Sequence, residues 1–370
     1  MQKPKVSIIV PVYNGEKFIR DTLRMLLFSS LHDIEVIVID DGSRDASMSI
    51  CKAMAEEDQR IRVYHQQNTG VFGARNHGLR VATGDYICFC DQDDLVESTA
   101  YAKMYAAAKE QDCEVVMAST GKLIGEKKES FENLPDAVFS DDEVRNNCML
   151  PILFNGTNYY FSGNAVRMEN DIWKCMIKRD FIKENNLQFR HIVNYEDDFL
   201  FLLDILARAT KVATISDVLY YWRVNLGSET YNTAYVENLY HKDIALQNEI
   251  VSIIQIAQID RAYIEKYEKC QNCNRYIHMI ENENRNRREE FSTKIRNVKI
   301  IRKETAFVES LHMRKGYKGN LIHRKIILGL LEHNAFAGAY WFHKCYAEVR
   351  EKGLHFRLWT KIENALFKKQ

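Results

Sequence analysis

Through the first 120 residues, short β-branched runs alternate with segments of helical period, the pattern of a largely parallel sheet covered by helices. Val6–Val12 reads as the first strand. After the Asn14-Gly15 turn, Ile19, Leu23, Leu26 and Leu27 recur at helical spacing, and Glu35–Ile39 reads as a second strand buried on both faces. A helix over Arg44–Ala55, strand Ile61–His65, helix Gly73–Ala82 and strand Tyr86–Cys90 continue the series, and Cys113–Ala118 reads as another strand. The pattern then loosens over Thr120–Ser162, which is expected to form loops around an acceptor site. Asp171–Asn186 and Asp197–Ala207 are expected to be helical, and Lys211–Ile215 and Val218–Trp222 to be two short strands. From about Thr233 the chain reads as almost wholly helical and charged. The expected fold class is therefore α/β, with an N-terminal domain over residues 1–228 and a helical, basic and aromatic region over 229–370.

A chain of 370 residues accommodates one catalytic domain and a smaller appended region. Its 46% hydrophobic and 28% charged residues exclude a disordered or fibrous class. The zero net charge hides an asymmetry: residues 291–370 carry 17 Lys and Arg against 6 Asp and Glu, leaving 34 against 45 before them. Such a basic tail suits anionic lipid, a protein partner or the acidic front of the same chain. Nine cysteines at irregular spacing, with a strand-like segment directly after Lys5, point to a cytoplasmic protein. Apolar runs such as Ile326–Leu331 fall well short of the ~20 residues of a spanning helix. Tyr340, Trp341, Phe342, Phe356, Trp359 and Phe367 lie among the basic residues. They suit either peripheral contact with the inner face of the plasma membrane or packing on the catalytic domain or a second subunit. Cys270-Gln271-Asn272-Cys273 is a lone CxxC without a second pair at zinc-site spacing.

In open α/β sheets ligands bind beyond the carboxyl ends of the strands. Pro11-Val12-Tyr13-Asn14, Asp40-Asp41-Gly42-Ser43 and Asp91-Gln92-Asp93 all fall at such ends. Asp91 and Asp93, two apart in extended chain, share a face and can converge on one hard cation such as magnesium or manganese. Asp94 with Leu95, Val96 and Glu97 matches a capping box for a following helix. Asp40-Asp41-Gly42-Ser43 reads either as a tight turn with Ser43 as helix cap or as a carboxylate that accepts hydrogen bonds from a base or ribose. Gly70–Gly78 is Gly-rich without being a dinucleotide fingerprint or a P-loop. Its Arg75, expected near a helix start, suits pairing with a diphosphate. Glu196-Asp197-Asp198 opens an apolar helix, which keeps a carboxylate ionised; Asp197 is the favoured general base.

Val6–Asn14, Asp40-Asp41-Gly42-Ser43, Ala74-Arg75-Asn76-His77-Gly78, Gly84-Asp85-Tyr86-Ile87, Asp91-Gln92-Asp93-Asp94 and Glu196-Asp197 together resemble glycosyltransferase family 2 over roughly residues 4–225. The resemblance implies a GT-A fold, a nucleoside-diphosphate (UDP) sugar donor, a divalent cofactor (Mn or Mg) and inversion at the anomeric carbon. It implies that Pro11 and Tyr13 line the uracil site, that Asp41 holds the base with Asp40 adjacent, and that Arg75 and Gln92 lie on the nucleotide side. It also implies that Asp91 serves ribose or metal, that Asp93 ligates the metal, that Asp197 is the general base, and that Glu196 and Asp198 contact the acceptor. The acceptor is expected to be a saccharide or a lipid-linked saccharide, nucleic acid is not expected as a partner, and homo-oligomerisation stays open. No Gln-x-x-Arg-Trp run accompanies these motifs, so single-sugar transfer is expected rather than processive synthesis. Tyr220–Ser228 resembles the segment that closes the site, without a His to serve as a third metal ligand, and Trp222 reads as core in preference to acceptor platform. A nucleotidyltransferase would want a Gly-rich phosphate loop where Pro11–Asn14 stands, whereas a catalytically degenerate scaffold would not need Asp41, Asp93 and Asp197 together.

Overall fold

The runs of Val and Ile in Val6–Val12 and Ile34–Asp40 leave no polar face, so both strands must be covered on two sides. They become β1 and β2, paired in parallel and buried along their whole length. The computed structural model describes residues 3–154, 168–193, 196–224, 235–286, 288–301, 327, 330, 333 and 335–351. Among them, β3 (Ile61–His65) and β4 (Tyr86–Phe89) extend the parallel sheet on either side, in the order β3-β2-β1-β4. Between these strands run α1 (Ile19–Leu27), α2 (Ser47–Glu57) and α3 (Val71–Val81). Ile19, Leu23 and Leu26 give α1 its buried stripe. Burying each such side chain stabilises the fold by roughly 1.5–3 kcal/mol. Gly78 lets α3 approach β1: a Cβ there would lie 2.4 Å from the Ile9 side chain.

Beyond β4 the expectations need three corrections. First, β5 (Leu95–Val96) and α4 (Ala100–Gln111) are followed by β6, which runs Val115–Ile124, turns at Gly125 and returns as β7 (Lys127–Glu132); β8 is Ala137–Ser140. The stretch expected as loops thus holds strand at 120–124, 127–132 and 137–140, whose period the exposed polar residues of β7 hide. Helical turns follow as α5 (Asp142–Val144), a π-turn (Arg145–Met149) and α6 (Leu150–Leu153).

Second, Asp171–Asn186 is not one helix. A 3-10 turn (Ile172–Lys174) leads into β9 (Cys175–Lys178) and then α7 (Arg179–Glu184). β9 lies antiparallel between β4 and β6, and its buried Cys175-Met176-Ile177 is a short apolar run whose period cannot separate strand from helix. Third, after α8 (Asp197–Arg208), the two strands expected at 211–222 are one, β10 (Lys211–Arg223), interrupted by a register shift between Ile215 and Val218. The sheet order is completed as β4-β9-β6-β10-β5.

Two compact units divide the chain; the expected boundary at 228/229 lies outside the described residues. In the second unit, α9 (Arg261–Arg285), α10 (Phe291–Ile301) and α11 (Phe336–Glu351) pack against one another. The side chain of Asn282 brackets Val236 with two 2.8 Å bonds, and His343 sits between Asn284 and Glu281. Tyr340 is buried with Phe291 edge-on to it, whereas Trp341 is half exposed. Phe356, Trp359 and Phe367 lie outside the described residues, as do the side chains of Cys270 and Cys273. Among the described residues no helix is long and apolar enough to cross a membrane.

Candidate active site

Because β1, β2 and β4 are parallel, their carboxyl ends fall on one edge and bring the three sequence-flagged groups together. The loops after β1 and β2 are laced to each other. Asn14 N–H donates to Ser43 Oγ and Arg44 N–H to Asn14 Oδ1, while Gly15 N–H donates to Ser47 Oγ at 2.7 Å. Ser43 therefore caps no helix; α2 begins at Ser47 after Ala46. Gln92 grips the backbone of Tyr13, accepting from its N–H at 3.0 Å and donating to its carbonyl at 3.2 Å. With its backbone so held, Tyr13 is 42% exposed, and Pro11 is buried.

Asp40 and Asp41 do different work. Asp40 is wholly buried and its Oδ2 lies 2.7 Å from His65 Nδ1, so its carboxylate faces the end of β3 and not the open edge. Asp41 accepts from Gln66 Nε2, Thr69 N–H and Gly70 N–H at 2.8–2.9 Å, drawing the 66–70 loop over the end of β2. Gly70, at φ +87°, supplies the turn into α3. With this turn placed, α3 starts at Val71, and Arg75 lies well inside the helix and away from its amino end.

Arg75 is 3% exposed and is the electrostatic centre of the site. Its guanidinium pairs with Asp91 at 3.0 Å and, on its other nitrogen, with Asp198. Burial acts against the cation, but Asp198 and Asp91 raise its pKa above the ordinary value. Burial pushes Asp198 up to about 6 despite Arg75, and a hydrogen bond from the Ile172 backbone opposes that rise. The Arg75–Asp198 pair, joining α3 to the first turn of α8, spans 123 residues of sequence. Diphosphate pairing was the expectation for Arg75; what the structure shows on it is carboxylates.

Asp94 is a correction. It caps no helix: Leu95–Val96 is a strand, and α4 begins after Thr99. Its buried carboxylate accepts from Tyr220 Oη at 2.7 Å and Arg223 N–H at 2.8 Å, while Asp91 N–H donates to the same tyrosine oxygen. Arg223 Nε donates to the Asp93 carbonyl at 2.6 Å. The Asp91–Asp94 loop is therefore bolted to the end of β10. Burial and neighbouring Asp91 push Asp94 well above the usual carboxylate range. Trp222 is half-buried, with the Lys122 ammonium 5.7 Å from its ring.

Asp91 and Asp93 are both partly exposed, so hard oxygen donors stand at the edge of the cleft. Among the described residues no cluster of three acidic, His or Cys side chains could hold a metal by itself. Two carboxylates still suit a cation that completes its shell with water and phosphate oxygens.

At α8, Asp197 is 4% exposed and Glu196 half-buried just ahead of the helix. Burial raises the pKa of Asp197; a hydrogen bond from His191 and the charge of Arg75 oppose the rise. His191 Nδ1 lies 3.2 and 3.3 Å from the two Asp197 oxygens. Sequence reading missed His191. A lone His in a loop carries no pattern, and its one signal is its place six residues before Asp197.

A mixed, mostly parallel sheet with a polar loop after β1 and acidic groups at the ends of β2 and β4 and on α8 is the arrangement of the GT-A fold. The comparisons agree. Residues 7–166 match the model of glycosyl transferase family 2. The glycosyltransferase EpsJ of Bacillus subtilis is 32% identical over 253 residues, covering 66% of this chain and 70% of that one. Glycosyltransferase GlyG of Streptococcus pneumoniae is 30% identical over 224 residues, covering 60% and 72%. The crystal structure of S. aureus TarS 1–349 in complex with UDP-GlcNAc has a TM-score of 0.63 at 18% identity, over 93% of this chain and 92% of that one. This chain belongs to glycosyltransferase family 2 and has the GT-A fold.

Proposed function

We propose that this glycosyltransferase moves one sugar from a UDP-sugar to a hydroxyl of a saccharide or lipid-linked saccharide acceptor, with inversion at the anomeric carbon. The observation that carries this reading is the junction at Arg75, which brings Asp91 of the β4 edge to the helix turn bearing Asp197. A donor site without an acceptor-side base would have no use for that connection.

In this reading the uracil lies against Tyr13 and Pro11, within the loops that Asp41 and Gln92 shape. Asp93, with Asp91, would hold a divalent cation, manganese or magnesium, which when bound neutralises charge on the leaving diphosphate. Arg75 fixes Asp91 for that role. Asp197 takes the proton from the acceptor hydroxyl, whose oxygen forms a bond to the anomeric carbon as the bond to phosphate oxygen breaks and its electron pair leaves with UDP. Raised by burial, Asp197 is a stronger base than an exposed aspartate. Glu196 and Asp198 flank it on the acceptor side. Asp40 supports the floor of the site through His65.

The test is a screen of nucleotide sugars, with and without Mn or Mg, for thermal stabilisation and donor hydrolysis, since selective binding to the folded state raises apparent stability. A UDP-sugar should give the largest shift, and Asp93→Ala should abolish its metal dependence. Preference for a different nucleotide overturns the donor reading, and full activity of Asp93→Ala in chelator overturns the metal reading.

A further inference from the structure

One face of α3 holds Phe189 and His191, ahead of Asp197, and Asp198 just after it. Asn76 brackets the backbone of Phe189 with two 2.9 Å hydrogen bonds. Arg75 reaches Asp198 and also lies 5.4 Å over the Phe189 ring. Phe72 lies flat on His191, ring centroids 4.5 Å apart and planes 9° from parallel. Phe72 is two residues past Gly70, whose N–H is held by Asp41. An unbroken line of contacts therefore runs from the loop after β2 through Phe72 and His191 to Asp197.

A carboxylate turns easily about its terminal torsion, and so little of Asp197 meets solvent that water does little to set its plane. A single N–H within reach of both oxygens sets that plane. With Asp197 ionised, Nδ1 of His191 carries the proton it donates, and the stacked Phe72 fixes the ring that presents it. We propose that His191 is the positioning residue of Asp197, and that its stacking on Phe72 ties the orientation of that carboxylate to the nucleotide-side loop. The proposal rests on Asp197 being the base. The groups that face Asp197 are His191, Arg75 and the adjacent Asp198, and of these His191 and Arg75 favour its ionised form. Losing the His191 bond therefore leaves burial less opposed and moves the protonation of Asp197 to higher pH.

The experiment compares His191→Phe, His191→Asn and Asp197→Asn in the full chain, with steady-state transfer from the UDP-sugar found by the screen measured across pH and donor binding read separately by thermal shift. His191→Phe keeps a ring on Phe72 but has no N–H. Its kcat should fall roughly ten- to a hundredfold, the scale of a misplaced reacting group, with donor KM unchanged and the acid limb moved upward. His191→Asn, whose amide N–H stands near the place of Nδ1 but which has no ring to stack on Phe72, should recover part of kcat. Wild-type kcat and acid limb in His191→Phe, or equal losses in the Phe and Asn variants, overturn the proposal. Near-normal transfer by Asp197→Asn overturns instead the base reading beneath it.

Discussion

Asp41 and Asp197 are about equally hidden, 3% and 4% exposed, yet they are held in opposite ways. Asp41 is surrounded by donors of the 66–70 loop, two of them backbone N–H groups whose directions the chain fixes. Asp197 has an imidazole and a more distant guanidinium, and burial outweighs both so that its affinity for a proton rises. A carboxylate taken up by backbone donors is committed to shaping the loop that carries them. One left short of donors is kept ready to accept a proton. In the proposed function, similar burial thus separates a scaffold from a reagent.

The comparison breaks most sharply at Asp197. Asp197→Asn should lower kcat by about 10²–10⁴-fold without altering donor KM, the loss expected of a general base. In the unaltered enzyme kcat should fall as the pH drops, with its acid limb above the ordinary carboxylate range because burial raises that group. A second, slightly smaller effect concerns the hinge between the two regions. Arg75→Gln leaves Asp91 and Asp198 facing each other without their cation, and urea unfolding should show a loss of about 3 kcal/mol, the low end for a broken buried pair because Asp91 is a third exposed. Asp41→Ala removes the acceptor of three donors. Unfolding should report a loss of about 1–3 kcal/mol, and kinetics should show donor KM rising more than kcat falls. The reverse split would make Asp41 a reagent and erase the distinction.

The smallest effect lies behind the site at Asp171, which burial pushes up to about 7 despite nearby Lys174. Between about pH 4 and 7 the folded chain keeps a proton there that the unfolded chain releases, so this group's contribution to stability is lost as pH rises through that window. Asp171→Asn should accordingly stabilise the fold at pH 8, by about 1 kcal/mol or less because the group is not fully shut off from water, so that Tm rises there and is unchanged at pH 4.

Much of the edge formed by β1, β2 and β4 was legible because parallel strands write themselves as apolar runs that end in polar turns. Asp40, Asp41, Asp91 and Asp93 were located that way, and strand alternation explains why Asp40 turns inward to His65 while its neighbour takes the loop. The family motifs located Asp197. Partnerships set by tertiary contact were not legible. Nothing near Arg75 in sequence announces Asp198, nothing near Asp94 announces Tyr220 and Arg223, and a capping-box spelling misled because the next residues join a strand. β9 escaped for the same reason: its neighbours β4 and β6, and not its own period, make it a strand.

Gly78 carries a consequence for inheritance. It lies away from the open edge, yet a side chain there would strike Ile9 and lift α3, the helix on which Phe72, Arg75 and Asn76 are mounted. An allele changing this glycine should look, in a genetic screen, like a lesion of the catalytic machinery itself. Its suppressors should be sought in the interior, at Ile9 trimmed to a smaller residue, before any are sought among the acidic residues of the cleft.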